Sequence, residues 1–337
     1  MIRFSIFLPV RNGWPYVQEC VKSILDQTHP HFELNVLDNQ STDGTLDWLQ
    51  SVEDPRVRIW TSPTSLSIEE SWARVKNIEK CEFMTLIGHD DILDPTYLSA
   101  ICSLIERLPD AGLYQTGSRL INSDGRKIRS CLPVAERETA ADYLRARFTF
   151  NRDVFGTGYV MRSHDYDRIG GIPPFEKLLF ADDALWLMLM RGSYKASDSA
   201  ELFSIRVHPK SESASLPSVW QPIVKGLTQF AEFLRDYVVD DVACRTVAET
   251  FRPSFLLTYH RNAYIYALVE ASQSRQQVPS AVIEKIAASL ERAAPRVAAD
   301  LRHSLKISLI EALNASPLRG LVPLLWRGYC RFKMRAH

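Results

Sequence analysis

The sequence has 337 residues but only six cysteines, at positions 20, 81, 102, 131, 244 and 330, and none of them forms a CxxC pair. Structural zinc and a disulfide framework are therefore not expected, and a reducing cytoplasm suits the chain. No apolar run reaches the roughly 20 residues that a membrane-spanning helix needs. Neither sign of charge prevails, since 40 basic residues meet 40 acidic ones, so no global field recruits nucleic acid. Glycine is scarce where a phosphate-cradling loop would need it: Arg11-Asn12-Gly13-Trp14-Pro15, after the first apolar run, contains a single one. The chain runs from Met1 almost directly into that apolar run, which leaves no room for a signal peptide and makes a cytoplasmic location the expectation.

What is present is an ordinary globular composition, 46% hydrophobic and 24% charged, with length for one large domain or two modest ones. Phe4 to Val10 reads as a buried strand, with Pro9 near its end, and Tyr16 to Gln27 as a helix with apolar residues at 17, 20, 21, 24 and 25. Phe32 to Leu37 is a second strand, followed by a helix from about Gly44 to Ser51 that Ser41 or Thr42 can cap. Val57 to Trp60, a helix over Ile68 to Lys80, and a strand over Phe83 to Ile87 complete this half. The alternation implies βαβ units and a mostly parallel sheet.

The centre is less regular. Tyr97 to Leu108 reads as a helix, Leu113 to Asn122 and Phe155 to Arg162 as strands, and Phe180 to Met190 as a helix that starts with Asp182 and Asp183. Four further helices are expected at Val219–Val239, Val242–Glu270, Ala281–Ala294 and Val297–Leu313. The division that follows is residues 1–215 for the α/β part and 216–337 for a helical C-terminal region.

Asp90 and Asp91 end the fourth strand as adjacent carboxylates, which repel and are costly to desolvate unless a cation lies between them. In parallel sheets ligands bind beyond the carboxyl ends of the strands, so Arg11, Asn12, Asp38, Asn39, Asp90 and Asp91 should converge on one crevice.

Taken in order, Val10-Arg11-Asn12, Leu37-Asp38-Asn39-Gln40-Ser41-Thr42-Asp43-Gly44-Thr45, Ile87-Gly88-His89-Asp90-Asp91 and Phe180-Ala181-Asp182-Asp183-Ala184-Leu185-Trp186 resemble the motifs of family-2 glycosyltransferases with the GT-A fold, over about residues 1 to 215. The resemblance implies a Rossmann-like mixed sheet flanked by helices, with a nucleotide-sugar-binding half (1–95) and an acceptor-binding half (96–215). It also implies inverting transfer of a sugar from a nucleoside diphosphate donor.

In that family the segment at Asp38 holds the base and ribose, where a carboxylate can accept the imide N–H of a pyrimidine and so favours UDP or dTDP donors. Pro9, Arg11, Asn12, Asn39 and Arg74 join Asp38 and Asp90 as expected donor contacts. The Gly88-His89-Asp90-Asp91 segment resembles the DxD region, with Gly88 in place of the usual first Asp. Its hard oxygens suit Mn²⁺ or Mg²⁺, for which Asp90, Asp91 and His208 are the candidate ligands. Asp182-Asp183 resembles the Glu-Asp motif whose second carboxylate is the general base, so Asp183 is the expected base and Asp182 its helper or substitute. Arg206 and Lys210 are candidates for neutralising phosphate.

Trp326 to Arg335 carries four basic residues and three aromatics with no acid, a composition that suits an anionic leaflet and hence a lipid-linked acceptor. The resulting expectation is a metal-dependent inverting glycosyltransferase acting on a glycan or lipid-linked acceptor in cell-surface polysaccharide synthesis, peripheral to the inner face of the plasma membrane. The rivals are a sugar nucleotidyltransferase and a catalytically silent scaffold that binds nucleotide sugar.

Overall fold

A computed structural model of the chain describes residues 1–208, 220–274, 276–326 and 328. The residues fall into two compact units, 1–143 with 150–207, and 144–149 with 208–337.

In the first unit the apolar run at the N-terminus is buried at every position and forms β1 (Phe4–Val10). The chain continues through α1 (Tyr16–Leu25), β2 (Phe32–Asp38), α2 (Thr45–Gln50), β3 (Val57–Trp60), α3 (Ile68–Ala73) and β4 (Phe83–Leu86). These strands stand in the order β3-β2-β1-β4, all parallel, as the alternation predicts. The β1–β4 ladder ends at Phe7–Leu86, so Pro9 lies beyond it, where a missing N–H breaks no bond to β4.

Past Asp91 come β5 (Ile92–Leu93), α4 (Tyr97–Arg107), β6 (Leu113–Ile121), β7 (Lys127–Ser130), β8 (Arg137–Glu138), α5 (Ala140–Phe148), β9 (Tyr159–Arg162), α6 (Ser163–Arg168), α7 (Ala181–Met190) and β10 (Lys195–Arg206). The sheet extends across β4-β9-β6-β10-β5, with β9 antiparallel to both neighbours and β10 parallel to β6. The result is one mixed sheet flanked by helices.

Three expectations change in detail. The strand expected from Phe155 begins only at Tyr159, because Gly158 adopts φ +77° and a Cβ there would meet the Phe203 ring at 2.6 Å. The helix expected over Ile68 to Lys80 stops at Ala73 and tightens into a 3₁₀ turn at Arg74–Asn77; its start carries a capping box between Ser67 and Glu70. Neither Ser41 nor Thr42 caps α2. Gly44 stands at the cap with a left-handed backbone, and the Oδ1 of Asp43 accepts from the Thr45 N–H instead.

The second unit is helical: α8 (Trp220–Tyr237), α9 (Val242–Gln273), α10 (Ser280–Ala293), a short α11 (Pro295–Ala298) and α12 (Leu305–Asn314). The helix expected over Val297–Leu313 is thus two, separated by a 3₁₀ turn at Ala299–Arg302 and the extended Ser304. Val219 lies outside the described residues. A buried polar chain ties three of these helices: His260 bonds the Leu256 carbonyl through Nδ1 at 2.8 Å and Ser289 through Nε2 at 3.0 Å, and Ser289 meets Thr228 at 3.1 Å. Because Nδ1 faces a carbonyl it carries the hydrogen, which leaves Nε2 to accept from Ser289. No helix among the described residues is long and apolar enough to cross a membrane.

Candidate active site

The loop after β1 is fastened to the loop after β2 by side chains chosen for that work. The Asn12 N–H donates to Ser41 Oγ at 2.9 Å, the Thr42 N–H donates to Asn12 Oδ1 at 2.8 Å, and the Trp14 N–H donates to Asp43 Oδ2 at 3.0 Å. The Gly13 N–H donates to Thr45 Oγ1 at 3.0 Å. A Cβ at Gly13 would meet Val10 at 2.7 Å and the His89 ring at 3.0 Å, so this loop runs directly between the β2 loop and the carboxylate pair. Arg11 and Asn12 are exposed there.

Asp38 is 1% exposed at the end of β2. Its Oδ2 accepts from the Ser41 N–H at 3.3 Å, while Oδ1 is buried with no hydrogen-bond partner among the described residues. A buried carboxylate oxygen left in that condition carries a desolvation cost that a ligand donor would relieve. Arg74 closes the floor of this corner by donating to the carbonyls of Asp38 (2.9 Å) and Trp60, and burial lowers its pKa. Asn39 is committed elsewhere: its side-chain amide donates to the Leu66 carbonyl at 2.9 Å and accepts from the Leu66 N–H at 2.8 Å, clamping the loop that leads to α3.

At the end of β4 the two carboxylates differ in kind. Asp90 is half-buried and Asp91 is buried. Asp91 accepts from the Thr157 hydroxyl at 2.9 Å and from the Arg206 N–H at 3.2 Å; burial, and then the neighbouring Asp90, push its carboxyl far above the ordinary range. Gly88 faces both: a Cβ there would stand 2.9 Å from Asp90 Oδ1 and 2.9 Å from Asp91 Oδ2. The space an aspartate would need at 88 is filled by the next two aspartates.

Arg206 corrects the phosphate role expected of it. Its guanidinium donates to the Asp90 carbonyl at 2.9 Å, to the carbonyls of Asn122 (3.3 Å) and Ser123 (3.1 Å), and to Glu19, and it lies over the Tyr16 ring. Its donors are spent on holding the Asp90 loop. Lys210 lies outside the described residues, and His208 opens the second unit.

Phe180 takes φ 64° and turns the chain into α7, setting Asp182 and Asp183 in the first turn, where the helix dipole favours negative charge. Asp183 is 1% exposed and accepts from the Tyr143 hydroxyl at 2.7 Å. A Cβ at Gly156 would lie 3.8 Å from Asp182, and Thr157, the next residue, bonds Asp91. The dipeptide Gly156-Thr157 therefore spans the two carboxylate pairs. Tyr143, Thr157 and the locking function of Arg206 were not anticipated from sequence. Phe155-Gly156-Thr157-Gly158 has a small-residue signal, but nothing local marks a tyrosine on a weakly amphipathic helix.

Among the described residues no three His, Cys, Asp or Glu side chains gather as a complete metal cage. Mg²⁺ and Mn²⁺ do not need one when a diphosphate is present, since one or two carboxylates with phosphate oxygens and water suffice. The hard oxygens of Asp90, with Asp91 behind it, fit such a partial set.

The sequence matches the description "Glycosyl transferase family 2" over residues 5–169. It is 28% identical over 194 residues to TuaG of Bacillus subtilis, a protein named for teichuronic acid biosynthesis, covering 57% of this chain and 73% of that one. It is 34% identical over 128 residues to the chondroitin synthase of Pasteurella multocida, covering 37% of this chain but only 13% of the synthase. Among solved structures, residues 1–349 of S. aureus TarS in complex with UDP-GlcNAc superpose with a TM-score of 0.66 at 14% identity, covering 97% of this chain and 92% of that one. A mannosyltransferase of Pyrobaculum calidifontis in complex with GDP-Man and Mn²⁺ gives 0.53, also at 14% identity, covering 95% and 87%. The fold is that of GT-A glycosyltransferases, and residues 5–169 belong to glycosyl transferase family 2.

Proposed function

We propose that this glycosyltransferase transfers a sugar with inversion from a UDP- or dTDP-type donor to a hydroxyl of a glycan or lipid-linked acceptor in cell-surface polysaccharide synthesis. The donor is held by residues 1–95, with Pro9, Arg11, Asn12, Asp38, Arg74 and Asp90 around it, and the acceptor by residues 96–215. The observation that supports the reading is the close approach of one segment to the next: Gly13 bonds the β2 loop through Thr45 and runs beside His89, Thr157 bonds Asp91, and Gly156 runs beside Asp182. Nucleotide, diphosphate and acceptor groups would lie along that line in the order the reaction uses them.

Asp38 Oδ1 would accept the pyrimidine imide N–H. Asp90 and Asp91 are the groups proposed to hold Mn²⁺ or Mg²⁺, which when bound would neutralise the departing diphosphate. As the acceptor oxygen bonds to the anomeric carbon and the bond to the diphosphate oxygen breaks, its proton passes to Asp183. The test is release of nucleoside diphosphate from a panel of nucleotide sugars with and without Mn²⁺, in wild type and Asp183→Asn. Transfer should vanish in the variant while nucleotide affinity stays; transfer by the variant would reject the base, and turnover unaffected by metal would reject the ion.

A lipid-linked acceptor would be met at an anionic leaflet on the cytoplasmic face of the membrane. Support comes from the exposed Leu305, Leu309, Leu318, Leu321, Leu324 and Leu325 near the C-terminus. Beyond them follow Arg327, Arg331, Lys333 and Arg335 in a basic and aromatic stretch, most of which lies outside the described residues.

A further inference from the structure

Behind Asp183 runs a buried line of charge that the transfer reaction itself does not require. The Tyr143 ring, with its hydroxyl on Asp183 Oδ1, lies 4.1 Å below the Arg152 guanidinium. Arg152 donates to Glu138 Oε1 at 2.7 Å, and the other oxygen of Glu138 pairs with Lys195 Nζ at 2.9 Å. Lys195 donates in turn to Gln115 at 2.8 Å. Tyr143, Glu138, Arg152, Asp183 and Lys195 are all less than 9% exposed. Two buried anions and two buried cations are thus strung through one phenol, a costly arrangement in a core where apolar residues of similar volume would pack as well or better.

We infer that Tyr143 is the positioning residue of the base: its hydroxyl occupies Oδ1 of Asp183, fixes the carboxylate rotamer, and directs the acceptor proton to Oδ2. Arg152, Glu138 and Lys195 hold the phenol in turn. The inference rests on Asp183 being the base. An ionised carboxylate only accepts, so the phenol must donate. Burial, and then Asp183, push the Tyr143 hydroxyl well above its ordinary pKa, so it keeps its proton throughout. The charged and titratable groups facing this pair are Asp182 on α7, Tyr159 on β9, Arg152, Glu138 on β8 and Lys195 on β10. Burial, and then Arg152, push Lys195 down to about 8.

Tyr143→Phe deletes one hydroxyl and keeps the ring. It should lower kcat roughly tenfold or more, leave the donor KM unchanged, and move the acid limb of kcat/KM to higher pH, because the ionised carboxylate loses a donor. Fluorotyrosine at 143, a stronger donor that still carries its proton, should move the limb to lower pH, a displacement that a merely structural role would not produce. Wild-type kcat and acid limb in Tyr143→Phe, with Asp183→Asn inactive, would overturn the positioning role and leave the base assignment standing. Activity in Asp183→Asn would overturn both. If Tyr143→Phe does not fold, the fluorotyrosine protein decides, and an unmoved limb overturns the role.

Discussion

The backbone N–H of Arg206 donates to Oδ1 of Asp91 at 3.2 Å, while the side chain of the same arginine holds the carbonyl of Asp90 at 2.9 Å. The last residue of β10 thereby sets both carboxylates at the end of β4. Arg206→Lys keeps the charge but replaces a planar fork by a single point donor that cannot reach Asp90, Asn122, Ser123 and Glu19 together. Unfolding stability should fall by about 2 kcal/mol, from carbonyls left without donors. Metal-stimulated turnover should fall further than basal donor hydrolysis. Denaturant melts and a Mn²⁺ titration of turnover check both.

Gly88→Asp would add a third aspartate to the Asp90-Asp91 turn, yet it should not strengthen the proposed metal site. The new Cβ would press on Asp90 Oδ1 and Asp91 Oδ2, and the third charge would repel both. The expected result is a lower melting temperature and weaker Mn²⁺ stimulation, with Gly88→Ala showing the steric part alone. Tighter Mn²⁺ binding in Gly88→Asp would show that the pair yields freely.

Asp38→Asn retains an oxygen for the Ser41 N–H but sets an amide where Oδ1 is unpartnered. Affinity for UDP should drop roughly ten- to hundredfold, the range for losing one buried charged hydrogen bond. Calorimetric titration with UDP measures it, with the wild-type and variant proteins also compared for GDP. Undiminished UDP affinity would remove Asp38 from the base site.

His260 gives the helical unit a pH dependence of definite sign. Burial lowers its pKa below the ordinary 6.5. The unfolded chain therefore binds a proton at a pH where the folded one does not, and stability is lost as the pH falls through 6.5 toward the folded value. The melting temperature should decline on acidification from pH 7.5 to 5.5, and less so in His260→Gln. Parallel curves for the two proteins would exclude His260 as the source.

Binding to vesicles tests the leaflet assignment. Sedimentation with phosphatidylcholine vesicles containing phosphatidylglycerol should exceed that with phosphatidylcholine alone and should fall with added salt. Leu305→Ser with Leu309→Ser should reduce it without altering the fold, since both side chains are exposed. Equal binding to neutral and anionic vesicles would reject the assignment.

The parallel half of the sheet was legible because β1 and β4 are buried along their length and read as apolar runs, and β2 alternates apolar with polar residues between turn signals. The strand β10 was not, since Lys195-Ala196-Ser197-Asp198-Ser199-Ala200-Glu201 is polar and carries a bulge between Asp198 and Phe203. Its pairing with β6 is decided by tertiary packing rather than by local pattern. Asp90 could be singled out because paired carboxylates end an apolar strand, Asp38 and Asp183 because their segments resemble the family's motifs. Tyr143 and Thr157 could not, because each acts through one hydrogen bond to a residue 40 or 66 positions away.

The reach of Arg206 across the chain bears on the order in which the enzyme is built. Strands β1 to β4 need only early residues to pair, so they can form while the remainder is still being synthesised. The Asp90 turn remains without its clasp until Arg206 emerges and docks. A nascent chain that has completed β1 to β4 therefore holds a sheet whose Asp90 turn is still unclasped, and the two carboxylates are set only when β10 arrives.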